Sequence, residues 1–296
     1  MKRIPLDAKT MTKWAQMVHA IYLDALMSES GLTCEQVVFH GGTSLHLSWR
    51  SPRFSEDLDF LLAKSIHNLD VITEKIKSAI CERFLAIDPG FAVEIRDKTR
   101  NPDRMPAYQI VVSHPGYIGN VMVKAEFWRV DQSYLEKYPT EFKTPASISD
   151  FVSHVANPVP VAMLETAYCD KLTAFATRPR LKWRDIYDLW WIGTQTNAAI
   201  DIEKVVPQFL HNVSAYETLQ NLPPDEALRL FLNQSKDDVI KKADPDLKKW
   251  LPDSLWARLN PAGVRQMVDY VYEAIDAVSM AVRDNLTPKN KTRIKP

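Results

Sequence analysis

The chain lacks nearly everything that would tie it to an oxidising compartment or a membrane. It has 296 residues and three cysteines, Cys34, Cys81 and Cys169, widely spaced and with no Cys-x-x-Cys pair. That argues against a disulfide framework or a structural zinc site and fits a reducing cytoplasm. No window approaches the roughly eighteen uninterrupted apolar residues of a membrane span; VSHVANPVPVAML is short and broken by two prolines. The opening MKRIPLDAKT has charges but no apolar segment behind them, which predicts no signal peptide. Neither sign of charge is in excess, since Lys plus Arg and Asp plus Glu both count 37. Zero net charge argues against indiscriminate coating of nucleic acid and leaves a local basic patch open. Gly-x-Ser-x-Gly, Walker and His-Glu-x-x-His motifs are absent, which removes support for hydrolase and P-loop readings. What remains, 46% apolar and 25% charged, is the composition of a soluble globular protein of one large or two ordinary domains.

Periodicity divides the chain in two. Residues 7–29 carry Met11, Trp14, Met17, Val18, Ile21 and Leu26 near helical spacing, with Gly31 as a stop. EQVVFH reads as a buried strand ending at His40, Gly41-Gly42 as a turn, and SLHLSW as the first turns of a helix. EDLDFLL reads as a strand, residues 67–86 as a helix, and 91–96, 107–113 and 120–130 as three more strands. In the last, Val121, Val123, Ala125 and Phe127 alternate with Met122, Lys124, Glu126 and Trp128, so its two faces differ in chemistry. Pro139, Pro145, Pro158 and Pro160 mark residues 138–160 as a boundary. Beyond it, 161–177, 184–196, 201–212, 224–235 and 262–284 have helical period. The cationic end, KNKTRIKP, reads as a mobile tail.

The densest stretch is HGGTSLHLSWRSPRFSEDLDFLL, residues 40–62, which contains the chain's only Gly-Gly. Asp57 and Asp59, two apart on a strand, project to one side while Leu58 projects to the other. Two such carboxylates repel, and a hard divalent cation removes the conflict. Mg²⁺ needs only one or two protein carboxylates, and completes its octahedron with waters and substrate phosphates. Glu126 is the candidate third carboxylate if its strand pairs beside EDLDF. Two metals roughly 3.5–4 Å apart clamp the attacking and leaving oxygens of a phosphoryl displacement. Glycines followed by a helix start bring backbone N–H groups and a positive dipole end to an anion, with the Thr43 and Ser44 hydroxyls beside them. Asp-x-Asp alone is common at solvated strand ends; strand, Gly-Gly-Thr-Ser, helix and Asp-x-Asp in that order is far more specific.

GGTSLHLSWRSPRFSEDLDF resembles the signature of the AbiEii/AbiGii toxin family, to which MenT-type toxins belong, with the nucleotidyltransferase fold of the DNA polymerase β superfamily. Gly41, Gly42, Thr43, Leu45, Arg53, Phe54, Ser55, Glu56, Asp57, Leu58, Asp59 and Phe60 match its pattern, and Ser44 is a mild departure. A second block, KLTAFATRPRLKWRDIYDLWWI, is similar to the family's downstream pattern at Lys171, Ala174, Arg178, Arg184, Asp185, Asp188 and Leu189. The resemblance implies Mg²⁺ on Asp57, Asp59 and Glu126, with two ions in all. It implies an NTP held by Gly42, Thr43, Ser44, Lys171, Arg184 and Asp188, and a catalytic set of Asp57, Asp59, Glu126, Lys171 and Asp185. It also implies a toxin–antitoxin context, NMP transfer to an acceptor hydroxyl such as a tRNA 3′ end, and a cognate antitoxin as partner.

On the residues alone, Asp185 and Asp188 share a helix face at i, i+3. Asp185 is equally open to a structural role, bridging Arg184 or Arg178, and the cationic run 178–184 taken alone reads first as an ordinary solvated helical hairpin. Trp190-Trp191 read as core, and His40 as a packed or solvated histidine. The expected architecture is α+β: a mixed sheet with helices over residues 1–150, then an all-α domain over 151–296 that completes the active site. Rival functions are transfer to a small molecule or a protein, an inactive RNA- or protein-binding module, and a scaffold whose Asp-x-Asp is surface decoration.

Overall fold

Alternating burial along residues 120–130 builds the centre of a sheet: Val121, Val123, Ala125 and Phe127 are buried, while Met122 is exposed and Lys124 and Glu126 are half-buried. The computed structural model describes residues 3–146, 157–195, 201–260 and 262–286. The chain forms two units, Met1–Met163 and Leu164–Pro296. The first runs β1 (Ile4–Pro5), α1 (Ala8–Glu29), β2 (Val37–His40), α2 (Gly41–Trp49), β3 (Leu58–Ala63), α3 (Leu69–Ile87), β4 (Ala92–Asp97), β5 (Ala107–Ser113), β6 (Tyr117–Ile118), β7 (Asn120–Val130), α4 (Gln132–Leu135), β8 (Thr140–Lys143) and β9 (Val159–Ala162). The second runs α5 (Leu164–Thr177), α6 (Arg184–Gln195), α7 (Ile202–Val213), α8 (Pro224–Leu232), α9 (Lys236–Trp250), α10 (Asp253–Leu259) and α11 (Ala262–Leu286). The α+β architecture is therefore a mixed sheet with helices, followed by a mainly helical region.

Seven strands form the main sheet in the order β4-β5-β7-β3-β2-β9-β8. β3 lies parallel to β7 and antiparallel to β2, and β9 lies parallel to β2. One face is closed by aromatics: Phe60 stacks on Phe127 at 4.8 Å and lies 5.3 Å from Phe39. Helices α1 and α3 pack together, and α1 also meets β7. Asp7 starts α1 by accepting a hydrogen bond from the Thr10 N–H at 2.7 Å, satisfying one of the helix's first donors.

Several sequence expectations need correction. Gly41-Gly42 is not a turn before a helix but the first turn of α2 itself. Leu61 is buried as fully as Leu58, Phe60 and Leu62, so β3 does not alternate between core and solvent. Met11 is exposed, off the face that buries its helix. Val159–Ala162, inside the proline-rich boundary, is a sheet strand, and the following helix starts only at Leu164. KNKTRIKP and residues 147–156 of the boundary lie outside the described residues.

In the helical unit, α5 packs on α6, α7 and α8, and α11 packs on α6, α7, α8 and α9. Phe175 of α5 meets Phe231 of α8 edge-on at 4.8 Å. Trp191 is buried, and Trp190 is half-buried beside Tyr187 at 5.7 Å. Helix α9 has no counterpart in the periodicity reading, yet Val239, Ala243 and Leu247 are fully buried along one side of it. No described helix is long and apolar enough to cross a membrane.

Candidate active site

Strand β2 ends at His40 in extended conformation, and Gly41, at φ +78°, swings the chain into α2. That left-handed backbone favours glycine, and space demands it as well. A Cβ on Gly41 would lie 2.6 Å from Asp59 Oδ2, and one on Gly42 would lie 2.3 Å from Arg53 Nη2. The Asp59 carboxylate thus sits against the N-terminal turn of α2, where the helix dipole favours negative charge. Thr43 is wholly buried and donates its hydroxyl to the Asp57 carbonyl; Ser44 is also buried. In this structure Thr43 holds the backbone of the aspartate segment, rather than presenting its hydroxyl to an incoming phosphate.

The loop between α2 and β3 is tied from three sides. Arg53 is 1% exposed and donates from Nη1 to the Phe54 carbonyl at 2.9 Å. His46 Nδ1 meets the Ser51 carbonyl, and His19 Nε2 meets the Glu56 carbonyl, each at 2.7 Å. A carbonyl only accepts, so each ring nitrogen donates. Burial pushes the His19 imidazole down to about 4 and lowers that of His46 as well, so both stay neutral near pH 7. Neither histidine role is visible in the sequence, because each partner is fixed by tertiary packing.

His19 makes stability depend on pH with a definite sign. Its folded value lies below the ordinary 6.5, so the unfolded chain binds a proton that the folded chain refuses until about pH 4. Stability is full above pH 6.5 and falls as pH drops towards 4, by about 2 kcal/mol at pH 5 from this group. His19→Gln keeps an N–H donor and removes the titration. Urea denaturation at pH 7 and pH 5 is expected to show a smaller loss in His19→Gln than in the parent; equal losses would remove His19 from this account.

Register gathers the carboxylates. His40 of β2 pairs with Asp59 of β3, and Asp59 pairs with Glu126 of β7. Neighbouring strands are about 4.8 Å apart, so Asp59 and Glu126 are adjacent on one face, opposite the aromatic core. Asp57 immediately precedes β3. Glu126 accepts a short ion-paired hydrogen bond from Lys124 two residues earlier. Among the described residues, no three or more His, Cys, Asp or Glu side chains are gathered as a set that would hold a metal. Asp57 and Asp59 suit a cation that takes two protein carboxylates and fills its other positions from water and phosphate. Glu126 fits as a further ligand only once it parts from Lys124.

The second sequence block forms a buried charge cluster in the helical unit. Lys171 Nζ lies 2.8 Å from Asp185 Oδ1 and 2.7 Å from Asp188 Oδ2. Arg178 Nη1 reaches Asp185 Oδ2 at 2.5 Å. Both aspartates are almost wholly buried. The i, i+3 spacing does bring them to one ammonium, and Asp185 bridges to Arg178 rather than to Arg184. Arg184 turns away: its guanidinium lies over the Trp250 ring at 4.7 Å, and its backbone N–H donates to Asp246 at 3.3 Å.

Comparison with known proteins agrees with this fold. A family model described as nucleotidyl transferase AbiEii toxin, type IV toxin–antitoxin system, matches residues 22–258. No curated protein sequence matches the chain. Among solved structures, MenT4, a nucleotidyltransferase toxin from Mycobacterium tuberculosis, is similar with a TM-score of 0.56 at 19% identity, covering 94% of each chain. JHP933 from Helicobacter pylori is similar with a TM-score of 0.53 at 18% identity, over 95% of this chain and 97% of the other. At such identities these two likenesses speak for the fold alone.

Proposed function

The chain belongs to the AbiEii nucleotidyl transferase toxin family of type IV toxin–antitoxin systems, and on that premise we propose that it transfers a nucleoside monophosphate from an NTP to a tRNA 3′ hydroxyl. The acceptor oxygen forms a bond to the α-phosphorus, the bond to the β-phosphate oxygen breaks, pyrophosphate leaves, and the hydroxyl proton passes to a base or water. Asp57 and Asp59 would hold Mg²⁺, whose chemistry is to neutralise the triphosphate and acidify the acceptor hydroxyl. The residues' own part is placement. Thr43, Arg53, His19 and His46 fix the backbone that presents Asp57, and the first turn of α2 at Gly41-Gly42 offers N–H groups to an anion. Glu126 would take the place of a further metal ligand or receive the acceptor proton, with Lys124 exchanging partners.

For the helical unit, the resemblance assigns Lys171 to the nucleotide phosphates; Asp185 and Asp188 hold its ammonium here, so contact with a phosphate would require it to exchange partners. Arg184 and Asp188 are carried by the same resemblance. Family membership also implies a cognate antitoxin.

The observation that carries the reading is the adjacency of Asp59 to Glu126 and to the α2 N-terminus, on the face of the sheet opposite its core. The test is label transfer: protein, Mg²⁺ and each α-labelled NTP in turn, with total tRNA. Labelled RNA that is absent with Asp57→Ala/Asp59→Ala is expected. Label on protein or on a small molecule instead would overturn the tRNA acceptor while keeping the chemistry.

A further inference from the structure

A crevice of about 490 Å³ opens in the helical unit between residues 181–184 and helix α9, within the size range of ligand sites. Its apolar walls are Leu181, Trp183 and Pro245, and its cations are Lys182, Arg184 and Lys242. The cations here face aromatic rings. Lys242 Nζ lies over Trp183 at 5.7 Å, and Trp250 is flanked by Arg184 at 4.7 Å and Lys249 at 4.3 Å. Asp246, the crevice's acid, has both oxygens engaged: one accepts from the Arg184 backbone N–H at 3.3 Å, the other from the Trp250 indole at 3.2 Å. Its two oxygens help to start α6 and orient Trp250, and the crevice keeps one negative charge among its three cations. Lys241, Lys248 and Lys249 add exposed cations on the same helix, against Asp237, Asp238 and Asp244, with Lys241 3.9 Å from Asp238.

We infer that this crevice is a subsite for an unpaired nucleotide of the RNA acceptor, its base against Trp183 and Pro245 and its phosphates on Lys182 and Lys242. The inference rests on the RNA-directed transfer proposed above and adds to it the surface that holds the acceptor. An aromatic wall suits a base, because every base has a π-face but only an unpaired one is free to stack. Lysines at the rim suit phosphate, and an arginine already held flat by Trp250 is ordered before the ligand arrives. A cation-rimmed, half-apolar cleft fits this chemistry better than it fits an acidic peptide, which would engage the lysines without bringing a base to Trp183.

The experiment uses the full chain with a single-stranded RNA carrying 4-thiouridine, first without NTP. Ultraviolet crosslinking followed by peptide mapping is expected to place the adduct within residues 181–184 or 242–250. Trp183→Ala and Lys242→Glu are each expected to weaken RNA binding about ten-fold in fluorescence anisotropy. Lys242→Glu should also flatten the salt dependence by about one unit of slope. Lys242 is exposed, so its variant tests the site even if Trp183→Ala fails to fold. RNA that binds and is labelled normally in Lys242→Glu, with crosslinks elsewhere, overturns this subsite and leaves transfer to RNA standing. No RNA bound and no crosslink formed, with label passing to protein in the transfer assay, overturns both.

Discussion

Asp59→Ala is expected to abolish nucleotidyl transfer, lowering label incorporation by about three orders of magnitude, while the protein stays folded. The size of the effect follows from position. Asp59 is the residue in register with both His40 and Glu126, and its carboxylate lies closest to the first glycine of α2. Without it Asp57 alone remains at the start of β3, and one carboxylate neither fixes a divalent ion nor sets it against a triphosphate. Stability should change by no more than about 1 kcal/mol, because Asp59 is half-buried at the start of β3, on the side of the sheet away from the aromatic core. Activity and urea denaturation measured on the same preparation separate the two effects. A variant that keeps a tenth of parental activity would remove Asp59 from the catalytic set.

Lys171→Met is expected to produce the largest loss of stability, about 3–5 kcal/mol. Asp185 and Asp188 have side-chain exposures of 2% and 0%, and the Lys171 ammonium lies within hydrogen-bonding distance of both. Removing it takes from both buried carboxylates the ammonium they share, while Arg178, whose side chain is 41% exposed, pairs with Asp185. Adding Asp188→Asn to the variant removes one of the two buried carboxylates that faced the ammonium and should restore part of the loss. Equilibrium denaturation followed by tryptophan fluorescence reads both. If Lys171→Met stays within 1 kcal/mol of the parent, the cluster does not brace α5 against α6 as described.

Much of this was legible in the sequence, and the rest was hidden for physical reasons. β7 could be read to its ends, Asn120–Val130, because one of its faces meets an aromatic core and the other does not. Glu126 could be named on that basis, and Asp57 and Asp59 from their i, i+2 spacing behind the Gly-Gly-Thr-Ser run. Their neighbourhood could not, since it depends on β3 lying between β2 and β7, a long-range order that local pattern does not encode. β9 was masked by Pro158 and Pro160; Pro160 pairs with Phe142 near the edge of the sheet, where a missing N–H is tolerated. Helix α9 was masked by its charges and by Pro245, though Val239, Ala243, Leu247 and Trp250 recur at helical spacing beneath them. Asp185 was left between two arginines. Arg184 and Asp185 are consecutive in α6 and point about 100° apart, so only the aspartate faces Arg178 and Lys171.

The most direct test of the central claim is equilibrium binding of a non-hydrolysable NTP analogue with and without Mg²⁺, by calorimetry, for the parent and for Asp57→Asn/Asp59→Asn. Binding is expected to require Mg²⁺ in the parent and to be lost in the double variant, while the thermal unfolding of that variant is unchanged. Binding that ignores Mg²⁺, or that survives the loss of both carboxylates, would contradict it.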